Sequence, residues 1–458
     1  MNPKKQIVTA VISAALLTGG AAFGQSGDAI LDLLTKKGVI SQKEANEARE
    51  QLDVQNAQTV DAYNKIKTSS WVNSLQFFGD GRLRYEWRAG EGNTGTKAGT
   101  YDNTDYDRFR YRLRFGVKGD FFDNFSYGLR LETGQKGNSS NSTMGPALSG
   151  GPWNKAGTDG IYVGQLWATY KPTDWLTVTG GKIENPFMNT LMVWDGDLNP
   201  EGFAQKLTLK TEPVDYFLTF GEFTYVNSSK QNVLGGGASL PDTWMFGIQG
   251  GGKVKFSKDM SFTLAPTFYF YKNGSGNSAT GVFNPQWAGG NITGVNDLNV
   301  FDMPAEFAYM VPGINVPGKV FGDFAINTTA SARMGAFTGA DAAGIQAEGS
   351  QSIAYQFGAS IGASKKKHDW MLKAFWQHTE LNALDPNLVD SDIFDSHVNM
   401  QGVVVNGQYM LTDFLTFGVT YANARAIDSN IPTLTSAGDL VGNIHAYNLL
   451  QADLVWKF

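Results

Sequence analysis

Four arginines alternate strictly with four large apolar residues between Arg108 and Phe115, in the order Arg-Phe-Arg-Tyr-Arg-Leu-Arg-Phe. Side chains on a β-strand point to opposite faces with a period of two, so such a strand has one cationic face and one apolar face. A soluble sheet would turn the apolar face to its core. A transmembrane barrel strand would turn it to lipid and the arginines to a water-filled lumen.

The beginning of the chain predicts export. Lys4 and Lys5 precede an apolar run over residues 7–17, and Ala22-Phe23-Gly24 then fits a small-x-small cleavage site. This is the pattern of a cleaved signal peptide, which we place at residues 1–25. Beyond it, no run approaches the ~18 apolar residues of a transmembrane helix, so the exported chain is either soluble or a β-barrel.

The last strand-like segment favours the barrel. One face carries Leu450, Ala452, Leu454, Trp456 and Phe458, and the other carries Gln451, Asp453 and Lys457. Composition agrees with this reading, because charged residues make up only 17%, aromatic residues reach 13% and there are 54 glycines. The absence of cysteine excludes thiol catalysis and thiolate metal sites, and the net charge of −6 gives no basic footprint for nucleic acid.

The connections between strand-like segments are of two kinds. Some are short, such as 171–174, and others are long and rich in Gly, Asn and Ser, such as 273–300. Short periplasmic turns and long external loops are typical of bacterial outer-membrane barrels. Nine strand-like segments can be counted from the N-terminal end of the barrel and five from its C-terminal end. Because neighbouring strands alternate in direction, two more are required between them, and 306–311 and 319–329 can supply them, which gives a total of 16. We therefore predict a 16-stranded antiparallel transmembrane β-barrel over residues 68–458, wide enough for an aqueous channel.

Residues 26–67 differ from the rest, since they are polar and helix-forming without strand alternation. Ser41 and Glu44 form a capping-box start, and small or apolar residues then recur at a weak heptad spacing. We predict a short N-terminal periplasmic helix that contacts its copies or the cell wall. A solvated linker is the alternative.

Motifs of enzymes and metal sites occur in the wrong context. Residues 358–362 match the nucleophile-elbow pattern, but they lie inside a strand rather than between a strand and a helix. Residues 195–199 begin like a calcium loop, but Pro200 stands where the turn glycine belongs. The four histidines show no metal-ligand spacing. We therefore predict no enzymatic activity, no cofactor and no metal.

Charge on the first three strands predicts a cationic wall. Arginines facing lipid near the membrane midplane would each cost ~2–4 kcal/mol, so we place them in the lumen. The predicted pore-lining residues are Arg82, Arg84, Arg88, Arg108, Arg110, Arg112, Arg114, Arg130 and Glu132. The alternative is that these arginines pair with nearby carboxylates and hold the structure together.

The connection at 184–202 is long, yet it contains apolar side chains that an external loop gains nothing by exposing. Folded into the barrel, it would pack them on the inner wall and present its acidic groups to the pore, where charged side chains set ion preference. The predicted constriction residues are Asp195, Asp197 and Glu201. The alternative is that this loop packs at a subunit interface.

Four strings carry a resemblance to a known family. They lie at 30–40, 108–116, 180–187 (Gly-Gly-Lys-Ile-Glu-Asn-Pro-Phe) and 194–202 (Trp-Asp-Gly-Asp-Leu-Asn-Pro-Glu-Gly). The chain resembles the putative-porin family of bacterial outer-membrane proteins, which is distantly similar to phosphate-selective porins. The resemblance implies a porin and a homotrimer, but no defined substrate.

We therefore expect a passive outer-membrane channel for small hydrophilic solutes and ions. Because basic side chains outnumber acidic ones at the predicted site, we expect a weak preference for anionic solutes. An energised receptor would need a plug domain, for which residues 26–67 are too few. A structural tether, whose N-terminal helix binds the cell wall or a partner, is the alternative.

Overall fold

A computed structural model describes residues 35–37, 41, 45–46, 71–92, 104–122, 124–134, 139–145, 160–227, 242–272, 298–335, 342–433, 439–440 and 443–458. The predicted signal peptide at 1–25 and nearly all of the predicted helix at 26–67 lie outside these residues, so both stay predictions. Within the described ranges, no helix is long and apolar enough to cross a membrane. The chain divides into two units, Met1–Trp71 and Val72–Phe458, and the second contains every strand described below.

The second unit contains sixteen long antiparallel strands, two of them interrupted. They are β1 (Gln76–Gly92), β2 (Thr104–Asp120), β3 (Phe125–Gly134), β4 (Gly160–Thr173), β5 (Leu176–Lys182), β6 (Glu201–Lys210), β7 (Val214–Val226), β8 (Thr243–Ser257), β9 (Met260–Leu264 and Thr267–Lys272), β10 (Asn299–Asp302 and Ala305–Val311), β11 (Val316–Asn327), β12 (Ile353–Gly362), β13 (Trp370–Thr379), β14 (Met400–Met410), β15 (Leu415–Ala426) and β16 (Ile444–Lys457). A further two-residue strand, Ser142–Thr143, pairs with β2.

Each long strand pairs with its neighbour in the chain, and the last pairs with the first. Leu83 on β1 lies opposite Leu454 on β16, and the backbone N–H of Phe458 donates to the carbonyl of Gly79 at 3.1 Å. The sheet is therefore closed, which leaves no unpaired edge. The predicted 16-stranded barrel is confirmed.

Two strands are interrupted at prolines, which cannot donate a backbone hydrogen bond to the ladder. Pro266 divides β9, and Pro304 divides β10. Sequence reasoning found only the second piece of β10, over 306–311. The first piece, Asn299–Asp302, extends that strand beyond Pro304, and both pieces pair with β11.

Exposure alternates along the strands as the sequence predicts. On β1, Arg84 is 4% exposed while its neighbour Leu83 is 42% exposed, and Phe109 and Leu113 on β2 are exposed like Leu83. The apolar residues thus form the outer, lipid-facing surface, and the arginines point into the barrel.

Two of the described connections fold into the barrel over their whole length. We call residues 183–200, between β5 and β6, the first inward segment, and residues 380–399, between β13 and β14, the second inward segment. The second includes a 3-10 turn at Phe394–Ser396. Two short helices, α1 (Ala330–Gly335) and α2 (Ala342–Ala347), lie in the connection from β11 to β12.

Candidate functional site: the barrel interior

The first inward segment packs on the inner wall through its apolar residues. Phe187, Met192 and Trp194 are buried in one cluster with Phe223 and Tyr269, which point inward from β7 and β9. The Phe187 ring meets the Phe223 and Tyr269 rings edge to face, at centroid distances of 6.2 and 5.4 Å. These apolar residues are therefore covered within one chain, which favours packing in the lumen over packing at a subunit interface.

Glycine makes room for this packing. Gly247 on β8 has no side chain, and a Cβ at that position would overlap the Phe187 ring. At the base of the segment, Gly181 adopts a φ of +120°, a backbone conformation that other residues rarely take. The sequence therefore provides both the bend and the space for the aromatic ring.

Polar anchors fix the first inward segment to the inner faces of β8 and β11. The Thr190 hydroxyl donates to Asp323 on β11 at 2.7 Å, and the Met188 backbone N–H donates to Gln249 on β8 at 2.9 Å. Both wall residues are buried. The segment is therefore held to the wall at two separate strands.

The second inward segment was not predicted. It combines apolar and acidic residues as the first one does, and that composition could have identified it. The backbone N–H of Asp195 donates to the Leu388 carbonyl at 2.6 Å, and the N–H of Ser391 donates to the Asp195 carboxylate at 3.0 Å. Tyr225 and Tyr271 donate to Asp385 at 2.7 and 2.9 Å. The two inward segments thus bind each other and the wall.

Carboxylates of the second inward segment contact the predicted arginines directly. Arg84 lies 2.8 Å from Asp392 and 2.6 Å from Asp453 on β16. Arg88, which is 1% exposed, forms an ion pair with Asp395. We call the inner face of β1 and β2, together with the acidic groups against it, the arginine side.

The other predicted arginines also have partners. Glu86 accepts from Arg108 at 2.8 Å and lies 3.6 Å from Arg110. Asp80 lies 2.7 Å from Arg112 and 2.6 Å from Arg114. On β3, Arg130 lies 2.9 Å from Glu132. Arg82 donates to the Asn141 side chain at 3.1 Å. Among the residues that the structure describes, seven carboxylates form ion pairs with the arginines of β1 and β2: Asp80, Glu86, Asp197, Asp392, Asp395, Asp439 and Asp453. Since those strands contribute seven arginines, the arginine side is close to neutral.

Of the three predicted constriction residues, Asp195 and Asp197 lie together, with the Asp197 backbone N–H donating to the Asp195 carboxylate at 2.8 Å, but Glu201 lies apart from them. Asp197 lies 3.7 Å from Arg114, and its carboxylate accepts from the Ser140 hydroxyl at 3.0 Å. Asp195 is buried between the two inward segments. Glu201 instead begins β6, where its side chain is 55% exposed and lies 3.5 Å from Lys182. It shares the outer face with exposed Phe203, because residues two apart on a strand point the same way.

The environments of two inward-segment carboxylates separate their pKa values. Burial raises the pKa of Asp195 to about 7, and the nearby charge of Asp197 adds to this. Burial acts in the same direction on Asp392, but the arginines, led by Arg84, hold the pKa of its carboxyl well below the usual range. The carboxylate on the arginine side is therefore ionised, whereas the one between the segments titrates near neutrality.

A cavity of about 600 Å³ lies between the first inward segment and the barrel wall. Its wall is the inner face of β10–β13, which we call the lysine side because it contributes Lys319 and Lys373. Neither lysine was singled out from the sequence. Single lysines on separate strands give no local pattern, and only the strand register places both opposite Ser360.

Among the residues that the structure describes, no group of three or more His, Cys, Asp or Glu side chains is arranged to hold a metal ion. The interior is instead organised by ion pairs, inward loops and a cavity.

A family described as "Putative porin" matches residues 39–293, which is more than half of the chain. The chain belongs to this family. The family and the closed barrel are of a non-enzymatic, channel-forming type found in the bacterial outer membrane. No curated protein matches the sequence.

Solved structures with a similar fold include the high-pH structure of Pseudomonas putida OprB, at 11% identity and a TM-score of 0.49 over 84% of this chain and 94% of that one. Another is a mutant of Rh. blastica porin, at 11% identity and a TM-score of 0.40 over 84% of this chain and 100% of that one. The fold assignment itself rests on the strand pairing described above.

Proposed function

We propose that this porin is a passive channel through which small hydrophilic solutes and ions diffuse across the outer membrane, with a weak preference for anions. The observation that carries the proposal is a closed barrel of sixteen strands whose interior contains many charged side chains and is narrowed by two inward segments. Barrels of this strand number are wide enough to enclose an aqueous channel. Inward segments with fixed charges then limit which solutes pass.

Planar-bilayer recording tests the channel. Purified protein added to a lipid bilayer in KCl should produce discrete ion-conducting steps, and a KCl gradient should give a reversal potential on the anion-selective side of zero. A barrel that shows the heat-dependent gel migration of a folded outer-membrane protein but gives no steps would contradict the proposal.

The arginine-lined wall is part of this proposal in a specific form. Because most of these arginines are buried and matched by carboxylates, we propose that they act mainly by holding the interior together. Arg110 and Arg112 do so through Glu86 and Asp80 on β1, and Arg84 and Arg88 through Asp392 and Asp395 of the second inward segment. If the arginines have this structural role, the variant carrying Arg110→Ala and Arg112→Ala should be less stable and should conduct in steps of a different size. Its reversal potential should change little. A clear shift of the reversal potential towards cations would instead assign these arginines to the lining of the path.

We also propose that the channel is a homotrimer, as the family resemblance implies. Chemical cross-linking of the folded protein in detergent should then trap species up to three subunits. If the largest cross-linked species contained only one or two subunits, the trimer proposal would be contradicted, but the channel proposal would not be affected. The tether role of residues 26–67 stays a prediction: deleting them should remove cell-wall attachment while leaving conductance intact.

A further inference from the structure

The cavity on the lysine side contains a cation without a carboxylate partner. Lys373 on β13 places its ammonium nitrogen 5.0 Å from the centre of the Phe321 ring and 5.1 Å from that of Phe375. Within the described part of the chain, no carboxylate lies within 4 Å of it. Lys319, by contrast, lies 2.9 Å from Glu306. Lys373 is therefore held in position by aromatic faces and not by a direct ion pair, since Asp390, which acts on it electrostatically, lies beyond ion-pair distance.

This distinguishes Lys373 from the arginines across the barrel. Arg84 and Arg88 are almost fully covered by protein, and each already contacts carboxylates. Lys373 is only partly buried and lines a cavity large enough for a small molecule. Of these cations, it is the one that an incoming anion reaches without displacing an internal partner.

The rest of the cavity lining is amphipathic, and it also includes the carboxyl groups of Glu184, Asp195 and Glu306, the last of which is paired with Lys319. The first inward segment contributes the apolar side chains of Met188 and Leu191, and β13 contributes Met371. Asn185 and Asn189 add amide groups from the same segment. A simple inorganic anion would use the ammonium group alone, whereas an organic anion would also bury apolar surface on these side chains.

We propose that this cavity binds small organic carboxylates that carry an apolar ring or chain, with Lys373 pairing with the carboxylate and Leu191 and Met371 contacting the apolar body. This inference rests on the proposed channel function and names the solute class that the channel favours. Since ammonium–carboxylate pairs are charge-assisted hydrogen bonds, the pair fixes the solute's orientation in the cavity. Lys319, already paired with Glu306, contributes less.

Inhibition of ion current by benzoate tests the proposal. Benzoate added to an open channel in KCl should reduce the current in a saturable way, whereas acetate and benzyl alcohol, which lack the ring and the charge respectively, should act much more weakly. Lys373→Met keeps an unbranched side chain and removes the charge, so it should weaken benzoate inhibition about tenfold or more. Lys255→Met is the matched control, because Lys255 is paired with Asp215 at 2.8 Å and lies outside the cavity lining.

The outcomes separate this inference from the proposed function. If the folded wild-type protein gives no conducting steps, the channel proposal itself fails. If the channel conducts but benzoate inhibits the wild type and the Lys373→Met variant equally, the inference fails and the channel stands. Inhibition by acetate as strong as that by benzoate would overturn the role of the apolar lining. Heat-dependent gel migration of each variant verifies that it has folded.

Discussion

The arginine side and the lysine side of the barrel carry cations of the same sign in opposite circumstances. On the arginine side, the inward segments press carboxylates against the guanidinium groups, and Arg88 is left 1% exposed. On the lysine side, the first inward segment stands away from the wall and leaves a cavity of about 600 Å³. A charged side chain on the barrel wall is therefore not necessarily part of the permeation path. The position of the inward segments decides whether water reaches that side chain.

The difference also separates stability from selectivity. A buried ion pair contributes little net stability compared with an apolar pair, but removing one partner leaves an uncompensated charge at a large cost. A half-exposed ion pair costs little to remove. We therefore expect variants of the arginine side to affect folding, and variants of the lysine side to affect what passes.

Arg88→Met should give the largest effect. It leaves Asp395 and Glu86, both fully buried, without one of their cationic partners, so we expect a loss of about 3–5 kcal/mol in the free energy of unfolding. Urea unfolding in lipid vesicles measures it. Arg130→Met is the control, since its pair with Glu132 is more exposed and should cost less. Equal losses in the two variants would remove the distinction between buried and exposed pairs.

Arg88 also supports a backbone conformation on the second inward segment. Phe394, Asp395 and Ser396 all have positive φ, between 49° and 58°, which is unfavourable for residues other than glycine. The Asp395 carboxylate accepts from the backbone N–H groups of Asp439 and Leu440 at 2.9 and 2.6 Å. The same carboxylate therefore joins the left-handed turn, an arginine and another connection, and losing Arg88 should loosen all three.

The contact between the inward segments should depend on pH. The pKa of Asp195 is raised from 3.8 to about 7, so the folded state binds this proton more tightly than the unfolded state. The associated stability is fully present below about pH 4 and is lost as the pH rises to about 7. We expect a change on the order of 2–4 kcal/mol across this window. Unfolding titrations of the wild type and Asp195→Asn at pH 4, 6 and 8 measure it, and an identical slope in the variant would contradict the assignment to Asp195.

Filling the space beneath Phe187 should have a smaller effect. In Gly247→Ala the new methyl group would overlap the Phe187 ring, and such overpacking costs about 1–3 kcal/mol. Gly250→Ala on the same strand is the matched control, because a Cβ there meets only Leu218 at 3.7 Å, an ordinary contact. Phe187→Leu combined with Gly247→Ala should recover part of the loss. If Gly247→Ala were as stable as Gly250→Ala, the ring would not lie where the structure places it.

The sequence predicted the barrel well because strand period, turn length and parity are local or additive signals. The strand at 306–311 was required only by chain direction, and it is present as Ala305–Val311. The inward-facing arginines followed from the same alternation. The carboxylates that pair with these arginines could not be predicted in the same way, because Asp392 and Asp395 come from a connection about 300 residues away in the chain. Likewise, Glu201 lies close to Asp195 in sequence but not in the pore, because the strand that begins at Glu201 turns its side chain to the outer face.

Lys319→Met should have the smallest effect on stability, and it sharpens the comparison most. Lys319 and Glu306 are 48% and 32% exposed in their side chains, so their ion pair contributes about 0–1 kcal/mol. Removing the lysine frees the Glu306 carboxylate beside the cavity, which adds a negative charge where we expect anions to pass. The reversal potential in a KCl gradient should therefore move towards cations while the unfolding midpoint barely changes. The opposite result, lost stability with unchanged selectivity, would mean that the lysine side behaves like the arginine side and that the path lies elsewhere.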